Sequence, residues 1–242
     1  MKYWITRAGY LIKENLVLNE IRTHLRHSKV VEPDKILPLI HIDEIVNKVT
    51  SEIISPGFAD GDISDLELDY ISRIVKGITP KNIFEIGTFK GRTTLNLAAN
   101  TPKETTIYTL DLPETEMPKT RLRIKSGEKK FIKKTRSGEH FIGTKYENRI
   151  LQIYSDSASF NYEPYLNRMD FVFIDGSHSY EYVVNDTKIA LKLLRNKRGI
   201  ILWHDYGWRE VVQALNEMYL KDPLFSDLKQ IINTSFAYIR FE

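Results

Sequence analysis

Two hydrophobic periodicities divide the chain. Up to about residue 62 apolar residues recur at helical spacing, first Leu11, Ile12, Leu18, Ile21 and Leu25, then Ile42, Ile45, Val46, Val49 and Ile53. No run there reads as a strand, so residues 1–62 are predicted to be a helical N-terminal extension. Pro56, Gly57 and Gly61 interrupt the pattern. Ser64 followed by Glu67 then has the spacing of a capping box, in which each side chain bonds the other residue's backbone. A helix is expected from that point, with Leu66, Tyr70, Ile71, Ile74, Val75 and Ile78 as its apolar stripe. The Thr79-Pro80 step ends it, because the residue before a proline is pushed out of helical geometry.

After Pro80 the periodicity changes to short, buried-looking β runs separated by helical stretches. The runs are Asn82 to Ile86, Thr106 to Leu110, Ile150 to Tyr154, Phe171 to Ile174 and Gly199 to Trp203. Helical patterns fall at Gly91 to Ala99, Tyr180 to Leu194 and Arg209 to Leu220. Strands buried on both faces and alternating with helices indicate a parallel sheet covered on each side. Lys229 to Ile232 and Phe236 to Arg240, joined by Asn233-Thr234-Ser235, read as an antiparallel pair. The pattern therefore predicts an α/β fold: a Rossmann-like, doubly wound, mostly parallel seven-stranded sheet over residues 63–242, ending in antiparallel strands.

Composition narrows the chemistry. The 242 residues are 42% hydrophobic and 28% charged, which suits a globular domain, and they include no cysteine. Thiolate nucleophiles, thiolate zinc sites and disulfide frameworks are thereby excluded. No apolar run is long enough to span a bilayer and no signal-peptide pattern opens the chain, so a cytoplasmic location is expected. Net charge is only +3, but residues 113–148 hold ten basic and five acidic side chains. One insertion after the second strand thus carries the basic character, either as a solvated face or as a site for an anionic substrate.

The most informative stretch runs from Phe84 to Thr94, a strand, a glycine-bounded loop and a helix. Its spacing is Glu85-x-Gly87-x-x-x-Gly91, without the middle glycine that lets a pyrophosphate approach a helix N-terminus. A cofactor lacking a diphosphate is favoured. Asp111 ends the second strand about twenty residues further on, where a carboxylate can accept from both hydroxyls of a ribose. Asp156 and Ser157 end the third strand. On these residues the sequence resembles the class I S-adenosylmethionine-dependent methyltransferases. The resemblance implies that Gly87, Thr88, Phe89 and Gly91 wrap the methionine part of the cofactor and that Glu85 helps hold its ammonium group. It places Asp111 and Leu112 at the ribose, and Asp156 and Ser157 at the adenine, and it counts Asp175 among the cofactor-binding residues.

The fourth strand ends in Asp175-Gly176-Ser177-His178-Ser179-Tyr180, and the fifth in Trp203-His204-Asp205-Tyr206. These segments resemble the small-molecule branch that contains macrocin-type O-methyltransferases and cephalosporin-hydroxylase-like proteins. The resemblance implies a divalent metal, magnesium or a transition metal, held by Asp175 and Asp205, with His204 standing where an acid is usual. Imidazole suits transition metals better than magnesium. Methyl transfer also needs a base, and His178 and His204, supported by Asp175 or Asp205, are the candidates.

The Asn/Asp-Pro-Pro-Tyr tetrad of nucleic-acid amino-methyltransferases is missing after strand four, so nucleic acid is disfavoured and an oxygen acceptor leads. The expected partner is a glycan, a nucleotide-linked sugar or another small hydroxylated metabolite, with an anionic group to match the insertion. The insertion is expected to act as a mobile lid. An RNA-modifying methyltransferase and a noncatalytic S-adenosylmethionine-binding module are the alternatives, and a homo-oligomer is compatible with the sequence.

Overall fold

The computed structural model describes residues 33–55, 57 and 59–242, of which Asp34–Glu242 form one compact unit. The helical pattern from Leu11 to Leu25 lies outside the described residues.

Among the described residues the sheet has eight strands: β1 (Leu39–Ile40), β2 (Asn82–Ile86), β3 (Thr106–Asp111), β4 (Ile150–Tyr154), β5 (Phe171–Ile174), β6 (Gly199–Trp203), β7 (Lys229–Ile231) and β8 (Ala237–Phe241). Their order is β1-β7-β8-β6-β5-β2-β3-β4. Every pairing is parallel except those of β8, which runs antiparallel between β6 and β7. The helices are α1 (Ile42–Ile45), α2 (Asp65–Ile78), α3 (Arg92–Ala99), α4 (Lys129–Ile132), α5 (Tyr180–Leu193) and α6 (Arg209–Lys221). This is the Rossmann-like, mostly parallel sheet with a closing antiparallel pair that the sequence leads one to expect.

The N-terminal segment differs from expectation. Within it Leu39–Ile40 forms an eighth strand against β7, in register with Gln230 and Ile231, and only one helical turn follows at Ile42–Ile45. Ile40, Ile42 and Val46 join the core beside α2. A two-residue strand is created by its partner's free edge, and local periodicity carries no trace of that.

The central strands bury alternate side chains in opposite layers, as the pleat requires. On β5, Phe171 and Phe173 face α2 and α3, whereas Val172 and Ile174 face α5 and α6; on β6, Ile200 and Leu202 alternate likewise with Ile201 and Trp203. Each such side chain contributes roughly 1.5–3 kcal/mol by leaving water. The same alternation sets the site. It turns Glu85 of β2 toward α3, and it turns His204, the residue after Trp203, toward α2.

The capping box forms as predicted. Glu67 N donates to Ser64 Oγ at 3.2 Å, and Ser64 N donates to Glu67 Oε2 at 3.0 Å. Leu68, Ile71, Ile74 and Val75 are buried on α2, whereas Leu66, expected in its apolar stripe, is exposed. Thr79 closes the helix in a left-handed conformation, φ +47°.

Candidate active site

Gly87 follows β2 at φ +103°, and a Cβ built there would lie 2.0 Å from the carbonyl oxygen of Asp175. Only glycine lets the loops after β2 and β5 approach this closely. Gly91 is similarly enclosed, since a Cβ would lie 2.7 Å from the ring of Phe141. Between them Phe89 N donates to Asp111 Oδ1 at 3.2 Å. The loop and the carboxylate at the end of β3 thus form one wall of a cleft.

That cleft is lined by Gly87, Phe89, Asp111, Leu112, Asp156, Ser157, Asp175 and His178 among others. Glu85, Thr88 and Gly91 are not among the residues lining the cleft. Glu85 is fully buried, and its Oε2 accepts from the hydroxyls of Thr94 and Thr109. Burial pushes its carboxyl up to about 8, which keeps a proton on it at neutral pH. Thr88 is held by Thr109 at 2.6 Å and by Gln152 at 3.1 Å. Asp156 points inward, accepting from Tyr182 OH at 2.8 Å, Ala158 N at 3.0 Å and Arg121 N at 3.0 Å.

At the far end of the cleft, six ionisable side chains form a continuous chain. Glu128 Oε1 lies 3.0 Å from His178 Nδ1, and His178 Nε2 lies 2.5 Å from Asp205 Oδ2. The same Oδ2 is 3.1 Å from His204 Nδ1, which is also 3.0 Å from Asp175 Oδ1, and His204 Nε2 faces Glu67 Oε2 at 3.4 Å. Burial alone would lower both imidazoles, but the carboxylates outweigh it. His178 rises to about 9 and His204 well above its ordinary value. Burial likewise pushes Asp175 up, while Asp205, despite its burial, is held low by its two imidazole neighbours. Asp205 adopts φ +61°, a conformation that costs a non-glycine residue about 1 kcal/mol or more and that turns its carboxylate back between the histidines. The indole of Trp208, 53% exposed, stacks on the His178 ring at 4.8 Å and 13°.

The structure therefore brings His178, His204, Asp175 and Asp205 together. One donor atom each from Asp175, His204 and Asp205 lies within 4.8 Å of the others. Two carboxylate oxygens and one imidazole nitrogen converging on one point fit a divalent ion of the first transition row.

The insertion lies closed over the cleft. Glu128 accepts from His178 N at 2.5 Å and from Ser177 Oγ at 2.9 Å, and Lys125 Nζ donates to the carbonyl of His178 at 3.1 Å. Phe131 packs edge-on against Phe89. Four basic residues of the insertion meet carboxylates of the chain itself: Lys134 with Asp111, Lys125 with Glu210, Lys130 with Asp60 and Lys133 with Glu114. The enclosed space is about 120 Å³, below the ~300 Å³ at the small end of small-molecule sites.

Glu67, Glu128, Tyr182 and Trp208 are site residues that sequence reasoning missed. Glu67 was legible only as a helix cap. Glu128 had a signal, being the sole acid between Lys119 and Arg136.

A doubly wound sheet with a glycine loop, two strand-end carboxylates and a histidine–carboxylate cluster at one edge defines a cofactor-binding α/β domain built for group transfer. A family model described as a methyltransferase domain matches residues 84–206, more than half of the chain, and the chain belongs to that family. Among solved structures, the O-methyltransferase TomG from Streptomyces achromogenes in complex with SAM is similar at 16% identity and TM-score 0.53, over 75% of this chain and 82% of that one. The SAH-bound Podospora anserina methyltransferase PaMTH1 is similar at 19% identity and TM-score 0.51, over 76% and 81%. Cofactor-bound Rv0187 from MTB is similar at 17% and 0.51, over 73% and 80%. At these identities the likeness is one of fold. No curated protein matches the chain. Among the described residues, no helix is long and apolar enough to cross a membrane.

Proposed function

We propose that this protein transfers a methyl group from S-adenosylmethionine to a hydroxyl oxygen of a small acceptor, a glycan, a nucleotide-linked sugar or another hydroxylated metabolite. The observation that carries this reading is the continuity of one cleft from Asp111 and Asp156 to the cluster at Asp175 and His178. In this reading Asp111 accepts from the ribose hydroxyls, Asp156 and Ser157 border the adenine, and Gly87 gives the methionine portion close access to the backbone.

The reaction breaks a sulfur–methyl bond and forms an oxygen–methyl bond, leaving a thioether and releasing the hydroxyl proton. The protein's task is to align the two partners and take that proton. His178 is held between Glu128 and Asp205 and carries a proton in this arrangement. When Asp205 turns away from Nε2, one carboxylate partner remains, the imidazole's pKa falls toward neutrality, and Nε2 is free to accept from the substrate. Glu128 keeps Nδ1 oriented throughout. Asp175, His204 and Asp205 hold a divalent cation in this reading. Such an ion, when bound, supplies Lewis acidity that lowers the acceptor hydroxyl's pKa. Trp208 offers a flat apolar face beside His178 on which a sugar or ring can rest. The insertion 113–148 serves as the lid of this cleft.

The test is transfer of a labelled methyl group from S-adenosylmethionine into pools of hydroxylated sugars, nucleotide sugars and phenols. Label in an ether-linked product supports the reading. Tight S-adenosylhomocysteine binding without transfer to any hydroxyl would make the protein a binding module. Label in RNA, with affinity that falls steeply with salt, would move the acceptor to nucleic acid.

A further inference from the structure

Glu67 occupies the third position of α2, ahead of the methyltransferase strands, and is 8% exposed. Its carboxylate is held by serines on both oxygens. Oε2 accepts from Ser64 N at 3.0 Å and Ser64 Oγ at 2.8 Å, and Oε1 accepts from Ser235 N and Ser235 Oγ, both at 2.8 Å. Ser235 lies in the turn between β7 and β8, and its Oγ accepts in turn from Asp205 N at 3.3 Å. Below it, Leu68, Ile71, Ile74 and Val75 anchor the helix in the core. Glu67 is therefore fixed in space before His204 is considered.

The carboxylate faces His204 Nε2 at 3.4 Å. The ring is set by the edge of Phe236, with centroids 5.5 Å apart. An ionised carboxylate only accepts, so it favours a proton on the nitrogen it faces. Nδ1 faces two further carboxylates, Asp175 Oδ1 at 3.0 Å and Asp205 Oδ2 at 3.1 Å. By the same rule these nearer carboxylates favour a proton there too, so Nδ1 offers its lone pair only where a metal cation takes that proton's place, while the proton on Nε2 stays with Glu67. A lone pair aimed at two anions is stable only with a positive charge between them, a proton or a metal ion.

We propose that Glu67 is a positioning residue for a divalent cation: it keeps His204 protonated at Nε2 and so makes Nδ1 the third donor beside Asp175 and Asp205. A ligating histidine is commonly oriented by a carboxylate on its other nitrogen, and loss of such a partner weakens metal binding by roughly 10–100-fold. Here the orienting group comes from the helix before the first methyltransferase strand, outside the span that matches the family model. The inference rests on the cation reading given under Proposed function.

The experiment is Mn²⁺ titration of the whole chain by calorimetry and electron paramagnetic resonance. Wild type is expected to take up one ion, Asp175→Asn to abolish the site, and Glu67→Gln to weaken it by roughly 10–100-fold. Ser64→Ala, which removes the hydroxyl of the cap but leaves Glu67 facing His204, should cost thermal stability and change Mn²⁺ affinity less than threefold. Equal affinity in wild type and Glu67→Gln overturns the role of Glu67 and leaves the cation reading standing. No uptake by wild type, or uptake indifferent to Asp175→Asn, overturns both. A second measurement needs no variant. In the Zn²⁺-loaded wild type, ¹⁵N spectra should show His204 bound through Nδ1 with a proton on Nε2, and binding through Nε2 would overturn the proposal even if Glu67→Gln failed to fold.

Discussion

Lys134 Nζ lies 2.6 Å from Asp111 Oδ2, and the two side chains are only 7% and 8% exposed. The carboxylate that would accept from a ribose is thus occupied by a lysine of the insertion. A cofactor must displace that ammonium group to bind as proposed. Lys134→Met should therefore tighten S-adenosylhomocysteine binding by about tenfold in calorimetry, equivalent to about 1.4 kcal/mol. Asp111→Ala should weaken it by about 2 kcal/mol, roughly thirtyfold. In the double variant the benefit of Lys134→Met should vanish, because the two residues act through one contact. Weaker binding on Lys134→Met alone would mean that the lysine helps hold the ligand.

Glu85 gives the fold a pH dependence with a definite sign. Its native carboxyl is raised to about 8 from an ordinary value of 4.5. Between those values the native state keeps a proton that the unfolded chain has released, so its contribution is full below about 4.5 and is lost as pH rises through about 8. Glu85→Gln keeps a side-chain acceptor for Thr94 and Thr109 without titrating. Urea melts at pH 5, 7 and 8.5 should show the variant gaining on wild type as pH rises, and parallel curves would show that the carboxyl titrates normally.

The close approach at Gly87 is both structural and functional. Gly87→Ala combines φ +103° with a Cβ placed 2.0 Å from the Asp175 carbonyl oxygen. The expected cost is roughly 2 kcal/mol or more in denaturant unfolding. Because Asp175 must move to admit the methyl group, S-adenosylhomocysteine binding should fall as well. A variant as stable as wild type would show that the two loops yield easily.

Trp208 reports on His178. The stacked pair places a cationic imidazole 4.8 Å from the indole centroid, a contact that quenches indole fluorescence while the ring is charged. The fluorescence assigned to Trp208, taken as wild type minus Trp208→Phe, should rise as pH passes about 9. A transition near the ordinary histidine value of about 6.5 would indicate that Glu128 and Asp205 do not hold the proton.

Much of this architecture was legible in the chain. The five β runs after Pro80, the glycine loop at Gly87 and the carboxylates Asp111, Asp156, Asp175 and Asp205 at strand ends follow from local periodicity and spacing. In a parallel sheet, strand ends are brought to one edge by topology alone. The Ser64–Glu67 cap was legible for the same reason, since a capping box is a contact between neighbours in sequence.

Pairings between elements were decided only in three dimensions. Leu39–Ile40 became a strand because β7 offered a free edge. Lys134 met Asp111 and Glu128 met His178 because the insertion folds back over the cleft, so four of the basic residues that read as sites for an outside anion, Lys125, Lys130, Lys133 and Lys134, found carboxylates within the chain. Glu67 reached His204 through two independent facts, the rotation that the helix cap imposes on α2 and the alternation along β6 that turns His204 toward that helix. Sequence fixes rotation and alternation one element at a time; which side chains then meet depends on how the layers pack, and burial there decides which charges must be paired.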